Sequence, residues 1–313
     1  MQYFINRFFC FVAVCLTSYV ILLLFVGTFA PGIFKKNLNY KIGAYGHMNS
    51  RIKEIPNYSN IDILFIGSSH SYRGFDPRIF KEYNYNVFNL GSSSQSPIQQ
   101  ELLLTQYFSL LNPKLVVFEV FPKIIESDGV ESALDLLANN KIDNNALKMC
   151  FKTNNIKTYN TLIFAYYRQF FNLNSKFTEP NVINEDTYIK GGFVERELSF
   201  YKKPTKNYSS KTTYSFNGLQ LSTFKSILKM LKQKNINYIL VQAPITKTLF
   251  NRYSNNNYVD SVYKSLGVYY NFNTIVDFND SLFYDAHHLN QNGVVLFNKK
   301  FIEVLSNDNI IGN

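Results

Sequence analysis

The run Ile61-Asp62-Ile63-Leu64-Phe65-Ile66-Gly67-Ser68-Ser69-His70 decides the fold. Six mostly apolar residues closed by a glycine have the length and the stop signal of a buried strand. The small polar residues straight after it suit a turn. Three further runs follow the same plan. Residues 86–90 (Asn-Val-Phe-Asn-Leu) precede Gly91, residues 115–120 (Leu-Val-Val-Phe-Glu-Val) precede Phe121-Pro122, and residues 238–241 (Tyr-Ile-Leu-Val) precede Gln242-Ala243-Pro244. Residues 274–277 (Thr-Ile-Val-Asp) are a weaker fifth strand candidate.

Helical spacing fills the gaps between these runs. Residues 98–111 are apolar at helical intervals and stop before Asn112-Pro113. Leu221, Phe224, Leu228 and Leu231 share one helix face over residues 218–234, and Val294, Phe297, Phe301 and Leu305 do the same near the C-terminus. Strands that alternate with helices imply parallel pairing, and strands apolar throughout imply a sheet covered on both faces. The expected fold is a three-layer α/β/α domain of flavodoxin-like type with a mainly parallel sheet. Residues 123–214 interrupt the pattern and read as an insertion or cap, in which the aromatic stretch 159–171 is a helix or part of a substrate cleft.

Ligands of open α/β sheets bind outside the carboxyl ends of the strands. There the first strand presents Gly67-Ser68-Ser69 and the second Gly91-Ser92-Ser93-Ser94, while Tyr284-Asp285-Ala286-His287-His288-Leu289-Asn290 leads into the last helix. A serine hydroxyl needs an adjacent base to attack, and the base needs a partner that holds its tautomer. Ser69 is the nucleophile of this reading, His288 its base and Asp285 the orienting carboxylate, with His287 an alternative base. The backbone N–H groups of Ser69 and Gly91 are expected to face an oxyanion, and Ser92 and His70 to line the site. Each piece has a plainer reading. Gly-Ser-Ser is common turn chemistry, and Asp-x-x-His can simply open a helix. Neighbouring histidines hint at metal, but no second His or Cys cluster stands in the sequence, so no metal or other cofactor is expected.

This ordered set resembles the SGNH (GDSL-like) hydrolase superfamily. That family carries its nucleophile in Gly-Asp-Ser, an oxyanion glycine in a second block and Asp-x-x-His in the last. Gly67-Ser68-Ser69, Asn89-Leu90-Gly91-Ser92 and Asp285-Ala286-His287-His288 are similar to those blocks, with Ser68 in place of the aspartate. The longer stretch 67–77 resembles membrane-anchored, exported members that help move acyl groups onto cell-surface polymers. The resemblance covers roughly residues 61–305, with the middle third unmatched. It implies a serine acyltransferase or esterase, an envelope glycan substrate and a membrane-bound O-acyltransferase partner; a scaffold or glycan-binding module without activity is the alternative. One departure stands out. The family's third block supplies an asparagine to the oxyanion hole, and here the corresponding strand ends in Glu119.

Residues 8–30 are almost continuously apolar and uncharged, long enough to cross a ~30 Å hydrocarbon core as a helix. A cleaved signal peptide is the alternative, but Pro31 directly after Ala30 makes a poor cleavage site. The chain is therefore read as an anchor over residues 1–30, a juxtamembrane linker over 31–60 and the α/β domain over 61–313. Lys35, Lys36, Lys41, Arg51 and Lys53 after the span favour a cytoplasmic domain by local charge. Long domains cross largely regardless of charge, and the site chemistry favours a single-pass protein with its domain outside the cell membrane. The net charge of +10 suits an anionic surface, and without a nucleic-acid motif no nucleic-acid partner is expected. The basic run Lys202-Lys203-Pro204-Thr205-Lys206 reads as a solvated loop. Cys10 and Cys15 fall in the span and Cys150 stands alone, so the soluble part holds no disulfide.

Overall fold

A computed structural model describes residues 1–203 and 210–310. Pro204, Thr205 and Lys206 of the basic run lie outside the described residues. The chain opens with one long helix, α1 (Gln2–Phe29), long and apolar enough to cross a membrane. A short helix α2 (Met48–Glu54) follows, then β1 (Ile63–Ile66), α3 (Ser69–Gly74), α4 (Pro77–Glu82), β2 (Val87–Asn89), α5 (Pro97–Leu111) and β3 (Leu115–Glu119). Residues 122–196 add α6 (Pro122–Glu126), α7 (Val130–Asn139), α8 (Asn144–Thr153) and α9 (Ile156–Phe170), then the strands β4 (Val182–Ile183), β5 (Asp186–Ile189) and β6 (Phe193–Arg196). The α/β pattern then resumes with α10 (Gly218–Gln233), β7 (Asn237–Gln242), α11 (Lys247–Arg252), α12 (Asn256–Leu266), β8 (Tyr269–Asn271), α13 (Phe272–Ile275) and α14 (Gln291–Asn307).

Five strands form a wholly parallel sheet in the order β2-β1-β3-β7-β8. Alternation of side chains along each strand divides the core in two. Leu64, Ile66, Val116, Phe118 and Leu240 pack on one face with α5, α7, α8, α10 and α12. Ile63, Phe65, Val117, Ile239 and Val241 pack on the other with α4 and α14. Both faces are covered, as continuous apolar strands require. From β1 the chain moves outward to β2 and then returns to the other side of β1 as β3. The loops after β1 and β3 therefore flank a topological switch point, the usual place for a ligand.

Caps explain why the helices begin and end where they do. Asn217 and Asn290 accept first-turn N–H bonds at α10 and α14. Asn112 ends α5 in the left-handed region, and Pro113 prevents continuation. The fifth strand is not at 274–277. It is Tyr269–Asn271, in register with Leu240–Gln242, and residues 272–275 form a helical turn. The Asn271 side chain accepts the Asn273 N–H and starts that turn, so β-branched residues read as a strand are turned outward, with Ile275 exposed.

Part of the stretch read as a linker packs on the domain. Met48, Arg51 and Ile55 are fully buried. Arg51 Nε donates to the Gly192 carbonyl at 3.0 Å, and the Glu54 carboxylate accepts from the Tyr188 hydroxyl and the Gly191 N–H. The stretch 159–171 is helical and lies against α7, α8 and α1, away from the carboxyl edge of the sheet. The antiparallel sheet β4-β5-β6 packs instead against α3.

Candidate active site

β1 delivers Ser69 to the edge of the sheet through a turn that needs glycine. Gly67 has φ +155°, and a Cβ there would sit 2.6 Å from Glu119 Cβ on the neighbouring strand. Its N–H donates to Gln95 Oε1, while Gln95 Nε2 donates to the Leu90 carbonyl, so one buried amide ties the β1 and β2 turns together. Ser68 caps α3, and Ser69 begins it, half-buried at the surface of the cleft.

The other side of the cleft is a loop folded on itself. Phe283 and Leu289 bridge antiparallel, and Tyr284 N–H donates to the His288 carbonyl. Asp285 Oδ1 accepts the N–H groups of His287 and His288 at 2.8 and 2.7 Å. Thr246, after β7, holds the loop from outside by donating its hydroxyl to the Ala286 carbonyl at 2.8 Å.

These two segments meet. Ser69 Oγ lies 2.8 Å from His288 Nε2, and His288 Nδ1 lies 2.8 Å from Asp285 Oδ2. Burial pushes His288 below the ordinary imidazole pKa, against the pull of the Asp285 hydrogen bond and charge, so its ring is neutral at pH 7. Burial also works on Asp285, but the hydrogen bond from His288 and the charge of both neighbouring imidazoles outweigh it and hold that carboxyl well below its usual range. Ser69, a neutral imidazole and an ionised carboxylate are thus connected in line. That arrangement can withdraw a proton from a serine hydroxyl and stabilise the resulting imidazolium.

His287, the alternative base, turns elsewhere. Its Nδ1 is 3.4 Å from His70 Nε2, and its ring stacks on Phe121. Burial and the adjacent His288 lower its pKa to about 4. His70 lies beneath both, buried, with its ring 4.9 Å from that of His288. Burial first, then its two imidazole neighbours, push its pKa well down. Nitrogens of the three imidazoles lie within 4.8 Å of one another, so the cluster has donors enough for a transition metal. The in-line bonds of His288 to Ser69 and Asp285 engage both of its nitrogens, and His70 is engaged by Ser68 at Nδ1 and by His287 at Nε2, so a metal would have to displace these bonds.

The second block behaves differently from expectation. Gly91 N–H donates to Asn89 Oδ1 at 3.0 Å, so it is engaged and does not face the cleft. Ser92 is fully buried, its N–H on the Gly67 carbonyl and its Oγ against Ser132 Oγ. Both residues build the floor of the site rather than line it. Asn89 is the organiser, since its amide also donates to the Ser71 carbonyl and its oxygen accepts the Ser71 hydroxyl. Ser69 N–H, in the first turn of α3, remains a donor that the helix itself cannot use.

Glu119 resolves the departure at the third block. Its carboxylate turns back onto the nucleophile turn, accepting Ser68 N–H and Oγ–H at 3.2 and 2.8 Å and Phe121 N–H at 2.8 Å. Burial raises its pKa to about 7 against those three bonds. The same Ser68 hydroxyl lies 3.1 Å from His70 Nδ1. A polar chain therefore runs from Glu119 through Ser68 and His70 to His287, parallel to the Ser69–His288–Asp285 line. Single-residue reading had no signal for it, because its members come from α3 and its cap, the end of β3 and the last loop. Arg73 was missed as well. It forms a two-pronged pair with Asp186 of β5 at 2.8 and 2.7 Å and closes one wall of the cleft. The space enclosed by His70, Arg73, Gly74, Ala243, Pro244 and the two loop histidines is about 10 Å³, room for a single water.

No family model matches this chain, and no curated protein is similar to it. Among solved structures, it is similar to a protein of Bacteroides fragilis provisionally named an acylhydrolase, with 11% identity, a TM-score of 0.40, and coverage of 85% of this chain and 98% of that one. At that distance the likeness carries no information about what this chain acts on.

Proposed function

We propose that this chain is a membrane-tethered serine esterase or acyltransferase of SGNH type, acting on O-acyl groups of a cell-envelope polysaccharide or related polymer. The observation that carries the reading is the line Ser69 Oγ–His288 Nε2, 2.8 Å, with His288 Nδ1–Asp285 Oδ2, 2.8 Å, at the switch point of a parallel sheet. In this mechanism His288 takes the Ser69 proton as the hydroxyl attacks the acyl carbonyl. Asp285 holds Nδ1 protonated and stabilises the imidazolium, and Ser69 N–H meets the oxyanion. His288 returns the proton to the departing alcohol, leaving an acyl-serine. Water or a sugar hydroxyl then resolves it, which separates hydrolysis from transfer. α1 is read as the anchor, with the domain outside the cell and a membrane-bound O-acyltransferase as donor partner.

A second reading, a silent scaffold or glycan-binding module, draws support from Glu119 where an oxyanion asparagine is expected. A fluorophosphonate probe on the folded full chain separates the two. A covalent adduct on Ser69, absent in Ser69→Ala, supports the enzyme. Failure of the folded protein to react sinks it.

A further inference from the structure

Two imidazoles stand side by side at the site. Asp285 holds His288 with its proton on Nδ1, which leaves the Nε2 lone pair for Ser69. The ring of His287 lies 4.0 Å away, centre to centre, and the polar chain behind it sets its tautomer as firmly. An ionised carboxylate has no proton to give, so the Ser68 hydroxyl donates to Glu119 Oε2 at 2.8 Å. That uses the one Ser68 hydroxyl proton, and the 3.1 Å contact with His70 then needs a proton on His70 Nδ1. His70 and His287 are both neutral at pH 7, held so by burial and by their imidazole neighbours. A neutral imidazole carries one N–H. His70 Nε2 is therefore a lone pair, and His287 Nδ1, 3.4 Å away, donates to it. The other nitrogen of His287, Nε2, is a lone pair as well.

Nδ1 of His287 faces the buried His70, so Nε2 lies on the outer side of a half-exposed ring. None of the described residues gives that nitrogen a hydrogen bond. The ring runs parallel to that of Phe121 at 6.3 Å, and its backbone N–H is tied to Asp285 Oδ1. Nε2 is thus a fixed acceptor next to the base. It disfavours carbonyl oxygens, carboxylates and phosphates and takes O–H or N–H donors. A simple acyl ester group has no such donor, but the alcohol that resolves an acyl-serine does. The proton of the attacking hydroxyl goes to His288, so a bond to His287 needs a second hydroxyl. Two acceptors on adjacent rings suit hydroxyls on adjacent carbons.

We propose that His287 is a substrate-contacting residue whose Nε2 accepts a hydrogen bond from the hydroxyl next to the one being acylated, so that the site selects a vicinal diol, as sugars carry, over a monohydric alcohol. Glu119, Ser68 and His70 are positioning residues that keep this nitrogen an acceptor. The proposal deepens the serine acyltransferase reading and rests on it. The same chain is also a switch. A proton added to Glu119 turns every bond round: Glu119 donates to Ser68, Ser68 to His70 Nδ1, and His70 Nε2 to His287 Nδ1, and the proton of His287 sits on Nε2. Each ring stays neutral and one proton is gained in all. The site then presents a donor in place of an acceptor, and the diol preference is lost. Glu119 makes this change at about pH 7. The other ionisable groups facing the chain are Tyr263 of α12, which burial keeps neutral, and Asp285 and His288 of the last loop. Asp285 stays ionised, and His288 alters the rate with every alcohol alike.

Full-length protein in detergent is given nitrophenyl acetate as acyl donor, with ethanol and ethanediol competing as acceptors. The ratio of the two acetyl products is read within one protein, so a general loss of rate cancels. At pH 8 the wild type is expected to favour the diol by about three- to tenfold per hydroxyl, the effect of one hydrogen bond. His287→Phe keeps a ring beside Phe121 and is expected to abolish the preference. Ser68→Ala cuts the chain at its middle and is expected to lower it, which keeps the test open should His287→Phe fail to fold. In the wild type the preference is expected to fall between pH 8 and pH 6, a change that a purely structural His287 would not produce. A ratio constant with pH overturns the Glu119 chain as its cause. Equal use of the two alcohols per hydroxyl, a preference retained in His287→Phe, or an acetyl-serine that passes to water alone overturns the contact and leaves the nucleophile in place. A wild type with neither a nitrophenol burst nor an acetyl adduct on Ser69 removes the serine-enzyme reading and the contact with it.

Discussion

The carboxyl edge of the sheet and the α8–α9 corner are opposite kinds of surface. At the sheet edge polar groups are buried or half-buried and hydrogen-bonded to one another: Glu119 accepts three hydrogen bonds, Asn89 makes bonds in both directions, and the Ser69–His288–Asp285 line leaves no ring nitrogen of His288 idle. At the corner, the large apolar side chains of Leu147, Phe151 and Ile156 are exposed, with only the Tyr159 ring beside Phe151. Buried polar groups are costly unless each is satisfied, whereas exposed apolar groups cost little until a partner covers them. A change at the edge is therefore felt inside the protein. A change at the corner is felt where the protein meets its surroundings.

The largest effect expected at the edge is on turnover. Ser69→Ala lowers ester hydrolysis by about 10⁴–10⁶-fold, measured on a nitrophenyl ester, with an unchanged urea midpoint showing that the domain still folds. Asp285→Asn costs about 10⁴-fold through the wrong tautomer of His288. Equal activity in wild type and Ser69→Ala would erase the contrast between the two surfaces.

Stability effects come next. Glu119→Ala strands buried donors on Ser68 and Phe121 and is expected to destabilise by about 1–3 kcal/mol per unsatisfied group, read from urea unfolding in detergent. Gly67→Ala forces a methyl onto Glu119 at a positive φ and is expected to cost about 1–3 kcal/mol by overpacking alone. A neutral result for either would mean the nucleophile turn is less tightly held than its bonds suggest.

Proton linkage gives a smaller signature of opposite signs. Glu119 titrates near 7 in the fold and near the ordinary carboxyl value when unfolded, so the folded state binds the extra proton. Its contribution is fully present below pH about 4.5 and is lost as pH rises through about 7. His287 and His70 work the other way, because their folded values are depressed. Their contribution is present above the unfolded value and is lost as pH falls from about 6.5, for His287 through about 4. Unfolding of wild type and Glu119→Gln at pH 5 and pH 8 checks this: the wild type should gain on going to pH 5 relative to the variant. For turnover, the lowered value of His288 places the acid limb of kcat/KM below pH 6.5. A limb at or above that value would contradict a buried, neutral base.

The smallest effect belongs to the corner. Phe151→Ser should change the unfolding free energy in detergent by no more than about 0.5 kcal/mol. A larger loss would show that the corner packs within the domain.

Much of the edge was legible because its signals are local. A strand followed by Gly67-Ser68-Ser69 and a loop holding Asp285 and His288 before a capped helix can be read within ten residues each, and both landed on one edge because parallel strands share their carboxyl ends. The fifth strand was misplaced by only a few residues: Tyr269 and Tyr270 carry it, but the β-branched run just after them is the stronger pattern to the eye, and only the Asn271 cap shows where the strand stops.

The chain's order of apolar runs, small turns and caps was enough, by itself, to specify the alternating architecture, the apolar N-terminal helix, and Ser69, Asp285 and His288 as partners. Tertiary structure alone decided that Glu119 turns to Ser68, that Asn89 takes the Gly91 N–H, that His70 pairs with His287, and that α1 lies along α9. The physical reason is the same for all four. Backbone periodicity declares which face of an element is apolar, but which donor meets which acceptor across elements depends on side-chain directions and satisfied valences, and these exist only once the chain is packed.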